Sequence, residues 1–83
     1  MKAIKFPLST EKSIRLMESE NKLMFVVERT ARKNDIKKAL EEMYDVKVTA
    51  VNTLITPKGQ KRAYVKFSDE TPAIDLATKL GLM

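Results

Sequence analysis

The stretch VKVTAVNTLITPKGQKRAYVKF, Val46 to Phe67, is where the fold can be read first. Its second half alternates strictly, Ala63, Val65 and Phe67 against Arg62, Tyr64 and Lys66, which is the period of a strand with one apolar and one polar face. The first half begins as a strand at Val46 and Val48, and its alternation slips between Ala50 and Val51. A bulge at that point would place Val51, Thr53 and Ile55 on one face. Pro57-Lys58-Gly59 supplies the turn that joins the halves. The stretch therefore reads as a β-hairpin whose tip gathers three cations, Lys58, Lys61 and Arg62, around one glycine.

Upstream, Leu23-Met24-Phe25-Val26-Val27 is apolar on both faces and reads as a central strand covered, or screened by side chains, on both sides. Ile36, Ala39, Leu40, Met43 and Tyr44 then recur at helical spacing, with Lys37, Lys38, Glu41 and Glu42 opposite them. This is the clearest amphipathic helix in the chain. An earlier helix starts after an N-cap at Ser9 or Thr10, carries Glu11 in its first turn and Ile14 and Met17 on one face, and stops at Asn21. A weak strand over Lys2 to Phe6 precedes it, halted by Pro7. After the hairpin, Thr71 as N-cap and Pro72 as first helical residue open a last helix with Ile74, Ala77 and Leu80 on one face, closed by Gly81.

The order β-α-β-α-β-β-α implies an α+β fold. An antiparallel four-stranded sheet, with the strand Leu23–Val27 pairing the hairpin's second strand in a split β-α-β arrangement, carries helices packed on it. Leu23, Phe25, Val27, Ile36, Leu40, Met43, Val65 and Phe67 are the expected core. All 83 residues are expected to form one domain.

Composition narrows the chemistry. The chain has no cysteine and no histidine, which removes thiol nucleophiles, thiolate metal sites and the commonest general base. Glu41 and Glu42 are neighbours on a helix, so their carboxylates diverge; Ser9, Ser13 and Ser68 lack a histidine partner; no glycine-rich phosphate loop occurs. A non-enzymatic protein without cofactors or metal is expected. No apolar run approaches the roughly 18 residues of a membrane span, so a cytoplasmic protein that is not membrane-inserted is expected.

Net charge is +5, and it is lopsided: residues 1–67 hold fifteen Lys/Arg against eight Asp/Glu, whereas residues 68–83 hold one Lys against three acids. A basic excess on so small a body suits a polyanion. The row Arg62, Tyr64, Lys66 on one strand face can contact phosphates and stack on a base or ribose. The bland reading of the same row is an edge strand guarded by charge against aggregation. The fragment AYVKF also matches the end of the first ribonucleoprotein signature of RRM domains. That gives the alternative of a free-standing single-stranded RNA-binding regulator, although Arg62 stands where an aromatic is expected.

The ordered pieces PLSTEKS, NDIKKALEEMYDVKVTAVNTLITPKG and KRAYVKF resemble the universal large-subunit ribosomal protein twenty-three family over nearly the whole chain, and AIDLATKLGLM resembles its archaeal-type members. The resemblance implies a monomer within the ribosome that binds large-subunit ribosomal RNA beside the exit of the nascent-peptide tunnel. There it would adjoin neighbouring ribosomal proteins and help form the docking platform for signal recognition particle and the protein-conducting channel (the translocon). On the family pattern, Asn52 and Thr53 of VNTL and the segment Lys61-Arg62-Ala63-Tyr64 fall in RNA-contacting regions, and Glu11 of STEKS matches an exposed acidic residue associated with factor docking. Lys2, Lys5, Lys12, Lys58, Gly59 and Lys66 complete the candidate RNA-contacting set. Bacterial members extend the hairpin into the tunnel wall; here only Thr56 to Gln60 fill the turn, too few residues to reach deeply.

Overall fold

The computed structural model describes residues 3–81. Seven elements follow in the order β1 (Ile4–Pro7), α1 (Glu11–Glu20), β2 (Lys22–Val27), α2 (Lys33–Tyr44), β3 (Val48–Ile55), β4 (Lys61–Phe67) and α3 (Ala73–Lys79). The strands form one sheet in the order β1-β2-β4-β3, every neighbouring pair antiparallel. Since β2 and β3 both run against β4, they are parallel to each other with β4 inserted between them. This is the expected α+β, split β-α-β sheet.

Local chemistry sets the element ends. Thr10 caps α1 in a reciprocal box: its hydroxyl accepts from Ser13 N–H at 3.2 Å, and Ser13 Oγ accepts from Thr10 N–H at 2.8 Å. Ser13 is consequently buried on the inner side of the helix, and Ile14 is left 39% exposed. Asn21 ends α1 in the left-handed region, φ 57°, as its type favours. Its side chain then reaches across the fold. Nδ2 donates to the carbonyls of Phe67, Ser68 and Thr71 at 3.1–3.2 Å, and Oδ1 accepts from Ala73 N–H at 2.6 Å.

That last bond corrects the expected start of α3. The N-cap is Pro72, which has no side-chain oxygen, and Asn21 supplies the missing acceptor; the Thr71 hydroxyl instead accepts from Lys47 N–H. Pinned at Ala73, the helix buries Ala73, Leu76 and Ala77, and Ile74 stays 46% exposed, one position off the expected face.

Strand β3 begins at Val48 rather than Val46, and its irregularity lies between Val48 and Ala50, slightly before the expected slip. Beyond it Val51, Thr53 and Ile55 do share a face, opposite Val65, Ala63 and Lys61. Val46 is buried just ahead of the strand.

One cluster joins Met17 of α1, Ile36 and Leu40 of α2, and Ala73, Leu76 and Ala77 of α3 to Leu23, Phe25, Val27, Ala63, Val65 and Phe67. All three helices thus cover the same face of the sheet. Met43 departs from expectation at 63% exposed. Its angular position on α2 lies between those of Ala39 and Leu40, so rotation is not the cause. Burial fades along the helix axis, from Ile36 and Leu40 at 0% to a half-buried Tyr44, because the last turn runs out over the outer strand, β3.

Candidate nucleic-acid interface

The face that carries no helix core is built from three cross-strand rows. Phe6, Val26, Arg62 and Leu54 form the row nearest the hairpin turn; Met24, Tyr64 and Asn52 form the next; Lys22, Lys66 and Ala50 form the last. A register shift between Ile4 and Phe6 sets Phe6 on this face and leaves Ile4 against the core. Met24 and Val26 are each 2% exposed although they lie outside the helix-covered cluster. Their cover comes from long neighbours in the sheet, the stem of Arg62 and the ring of Tyr64, whose polar ends remain toward water. The apolar-on-both-faces reading of Leu23–Val27 is met in this way.

The candidate residues separate by face. Arg62, Tyr64, Lys66 and Asn52 share the open face, and Asn52 stands directly opposite Tyr64. Arg62 Nε donates to Gln60 Oε1 at 2.9 Å, which holds the guanidinium beside the turn. The Lys12 ammonium lies 5.5 Å from the centre of the Tyr64 ring, so α1 contributes a cation to the same row. Thr53, by contrast, pairs with Ala63 on the helix-bearing side.

Lys61 also belongs to that side. Its Nζ donates to Ala31 O at 2.6 Å and Arg29 O at 3.4 Å, tying the hairpin to the loop that precedes α2. The three cations read together in TPKGQKR are therefore parted by strand alternation: Arg62 faces one way and Lys61 the other. Lys58 is exposed at the tip, beside Gly59 at φ +86°, a conformation that glycine adopts without strain. Thr56 closes this turn, with Thr56 N–H donating to Gln60 O at 2.8 Å and Gly59 N–H to Thr56 O at 2.8 Å.

Lys5 is exposed on β1, 4.0 Å from Glu28. Lys2 lies outside the described residues. Glu11 lies in the first turn of α1, highly exposed, with its Oε1 2.8 Å from Arg15 Nη2. Two residues that the sequence reading passed over reach the interface: Phe6, 48% exposed, and Arg29, in the turn after β2. Arg29 had no local signal, because it meets the hairpin only through the pairing of β2 with β4.

Residues 2–76 match the sequence profile described as "Ribosomal protein L23". Two relatives bear the name "Large ribosomal subunit protein uL23". One, from Methanococcus aeolicus, is 49% identical over 79 residues, covering 95% of this chain and 92% of that protein. The other, from Methanococcus vannielii, is 51% identical with the same coverage. The chain belongs to the ribosomal protein L23 family. Both relatives are archaeal, in keeping with the compact hairpin and the AIDLATKLGLM ending. For an L23-family protein, a sheet with one face given to helices and the other to Arg62, Tyr64 and Lys66 is a sensible division of labour. The first face holds the fold, and the second leaves cations and a ring at the surface.

Proposed function

We propose that this protein is a non-enzymatic structural component of the large ribosomal subunit, and that it binds large-subunit ribosomal RNA through the open face of its sheet and the tip of its hairpin. The observation that carries the reading is the row Arg62-Tyr64-Lys66 with Lys12 and Asn52 beside Tyr64, on a face backed by a buried apolar layer. Cations there neutralise phosphates, and the amide of Asn52 and the phenol of Tyr64 hydrogen-bond to sugar or base edges. Lys58, Arg62 and Lys66 act mainly on phosphates, which makes the affinity salt-dependent. The bonds of Lys61 to Ala31 and Arg29 give it a positioning part, holding the hairpin while its neighbours reach the RNA.

In the assembled cytoplasmic particle the protein sits as a monomer beside the tunnel exit, next to other ribosomal proteins, and contributes to the docking platform for signal recognition particle and the translocon. Glu11 suits the docking role: its side chain is 81% exposed in the first turn of α1, where a basic factor can meet it. Among the described residues no helix is long and apolar enough to cross a membrane, consistent with a translocon contact made from outside the bilayer.

Co-sedimentation with large subunits through moderate salt, followed by a footprint of the protein on large-subunit RNA, tests the proposal. Retention with a footprint that Arg62→Ala and Lys66→Ala weaken is the expected result. A protein that stays mostly in the free fraction yet binds single-stranded RNA would instead be an RRM-like regulator, a reading that the ring-bearing open sheet face also accommodates.

A further inference from the structure

At the hairpin end of the sheet, the start of β1, the end of β2 and the turn enclose a groove of about 300 Å³, lined by Lys5, Phe6, Val26, Arg29, Lys58 and Gly59. Its floor is apolar and its rim is cationic. Among the described residues Phe6 is the one exposed aromatic; Phe25 and Phe67 are buried, and Tyr44 and Tyr64 are half-buried. The Tyr64 ring already carries the Lys12 ammonium, whereas no cation stacks on Phe6 among the described residues.

The rim charges differ in what they already do. Lys61 is committed to two carbonyls, and Lys5 lies 4.0 Å from Glu28. Among the described residues, Arg29 and Lys58 form no ion pair and donate no side-chain hydrogen bond. Gly59 brings them together. At φ +86° it turns the tip over the groove, and a Cβ placed on it would stand 3.8 Å from Arg29 Nη1, so the guanidinium lies against the turn's backbone. Two uncompensated cations thus line the same concave site as an exposed aromatic ring.

A duplex offers rows of phosphates but keeps its base faces stacked inside, and so leaves the Phe6 ring wet. An unpaired nucleotide offers both features at once, a flat π-face and phosphates on either side of it. We propose that this groove takes one unpaired nucleotide of the bound RNA, its base laid on the Phe6 ring and its flanking phosphates held by Arg29 and Lys58. The inference rests on the RNA-binding reading above and adds to it a specific site and a specific RNA conformation. An acidic peptide would satisfy the two cations but has no use for an exposed ring beside them.

Ultraviolet cross-linking of the intact protein to full-length large-subunit RNA, with the adducts located by mass spectrometry, tests the site directly. A single-nucleotide adduct on Phe6 is expected. In parallel, Phe6→Leu, which keeps an apolar side chain at a half-exposed position, should weaken binding about tenfold without changing the salt slope. Arg29→Gln should lower the log–log salt slope by roughly 0.7, the value for one single-strand phosphate. If the wild type retains RNA but gives no Phe6 adduct, or if Phe6→Leu binds as tightly as wild type, the groove proposal fails and the RNA-binding reading stands. If the wild type retains no large-subunit RNA, both fail. Should Phe6→Leu prove unfolded in a thermal melt, the wild-type adduct decides alone.

Discussion

On one face of the sheet, Leu23, Phe25, Val27, Ala63, Val65 and Phe67 lie 0–2% exposed beneath residues from three helices. On the other, Met24 and Val26 are 2% exposed although no helix core lies over them; Tyr64 and Arg62 stand beside them on β4, and Lys12 lies over the Tyr64 ring. The first burial is done by Ile36, Leu40, Met17 and Leu76, side chains with nothing to offer a partner. The second depends on Arg62 and Tyr64, which shield carbon with their stems and rings and keep charge and hydroxyl at the surface. Both arrangements remove apolar area from water, yet only the second leaves polar groups at the surface. Strand alternation alone separates the two tasks, residue by residue along β4.

The contrast breaks most visibly at Leu40, the fully buried link between α2 and the sheet. Leu40→Ala should destabilise the fold by about 2–5 kcal/mol in urea titration, while RNA affinity of the folded protein is unchanged. Stability within error of wild type would mean that α2 is not anchored there. Next is Asn21, whose side chain links the end of α1 to the start of α3. Asn21→Gly keeps the left-handed backbone and deletes only the side chain, so a loss of about 1–3 kcal/mol is expected from the orphaned Ala73 N–H and the carbonyls. A change of a few tenths would assign Asn21 a backbone role only.

A finer test sets Lys61 against its neighbours. Lys61→Ala should cost about 1 kcal/mol of stability through its lost carbonyl bonds and leave the salt slope of RNA binding as it was. Arg62→Ala and Lys66→Ala should each lower the slope by roughly 0.7–0.9; Lys66→Ala should barely alter melting, whereas Arg62→Ala should also lower the melting temperature by uncovering Val26. A slope change in Lys61→Ala as large as in Arg62→Ala would show that RNA binding draws Lys61 off the loop carbonyls, and that the two faces are less separate than the free protein suggests.

Glu11→Lys is expected to change stability only slightly. Loss of the exposed pair with Arg15 and of a carboxylate at the helix N-terminus should cost only about 0.3–1 kcal/mol. RNA incorporation should be normal. Binding of signal recognition particle to ribosomes carrying the variant should nonetheless weaken, most at low salt, where charges act over about 10 Å or more. Equal binding by wild type and variant would leave Glu11 with its helix-end role alone.

The sequence by itself determined the element order, the hairpin, the pairing of the Leu23–Val27 strand with β4, and most of the core. These follow from short-range rules: period two against period 3.6, a Ser or Thr cap, an Asn stop and a Pro-Gly turn. It also carried the motifs that mark the family. Only the tertiary structure decided which cations act together. Lys58, Lys61 and Arg62 look like one cluster in a string, but a strand throws adjacent side chains to opposite faces, and Lys61 went to the carbonyls of Arg29 and Ala31. The same holds for Met43, on the right face of its helix but past the cover of the sheet, and for Ala73, whose cap comes from Asn21. Lys12 meets Tyr64, and Arg29 and Phe6 meet the hairpin turn, across strand pairings that bring distant residues within a few ångströms. Sequence periodicity reports which way a side chain points within its own element. What it meets there depends on how the elements stack, and that is fixed by the burial of the whole core at once.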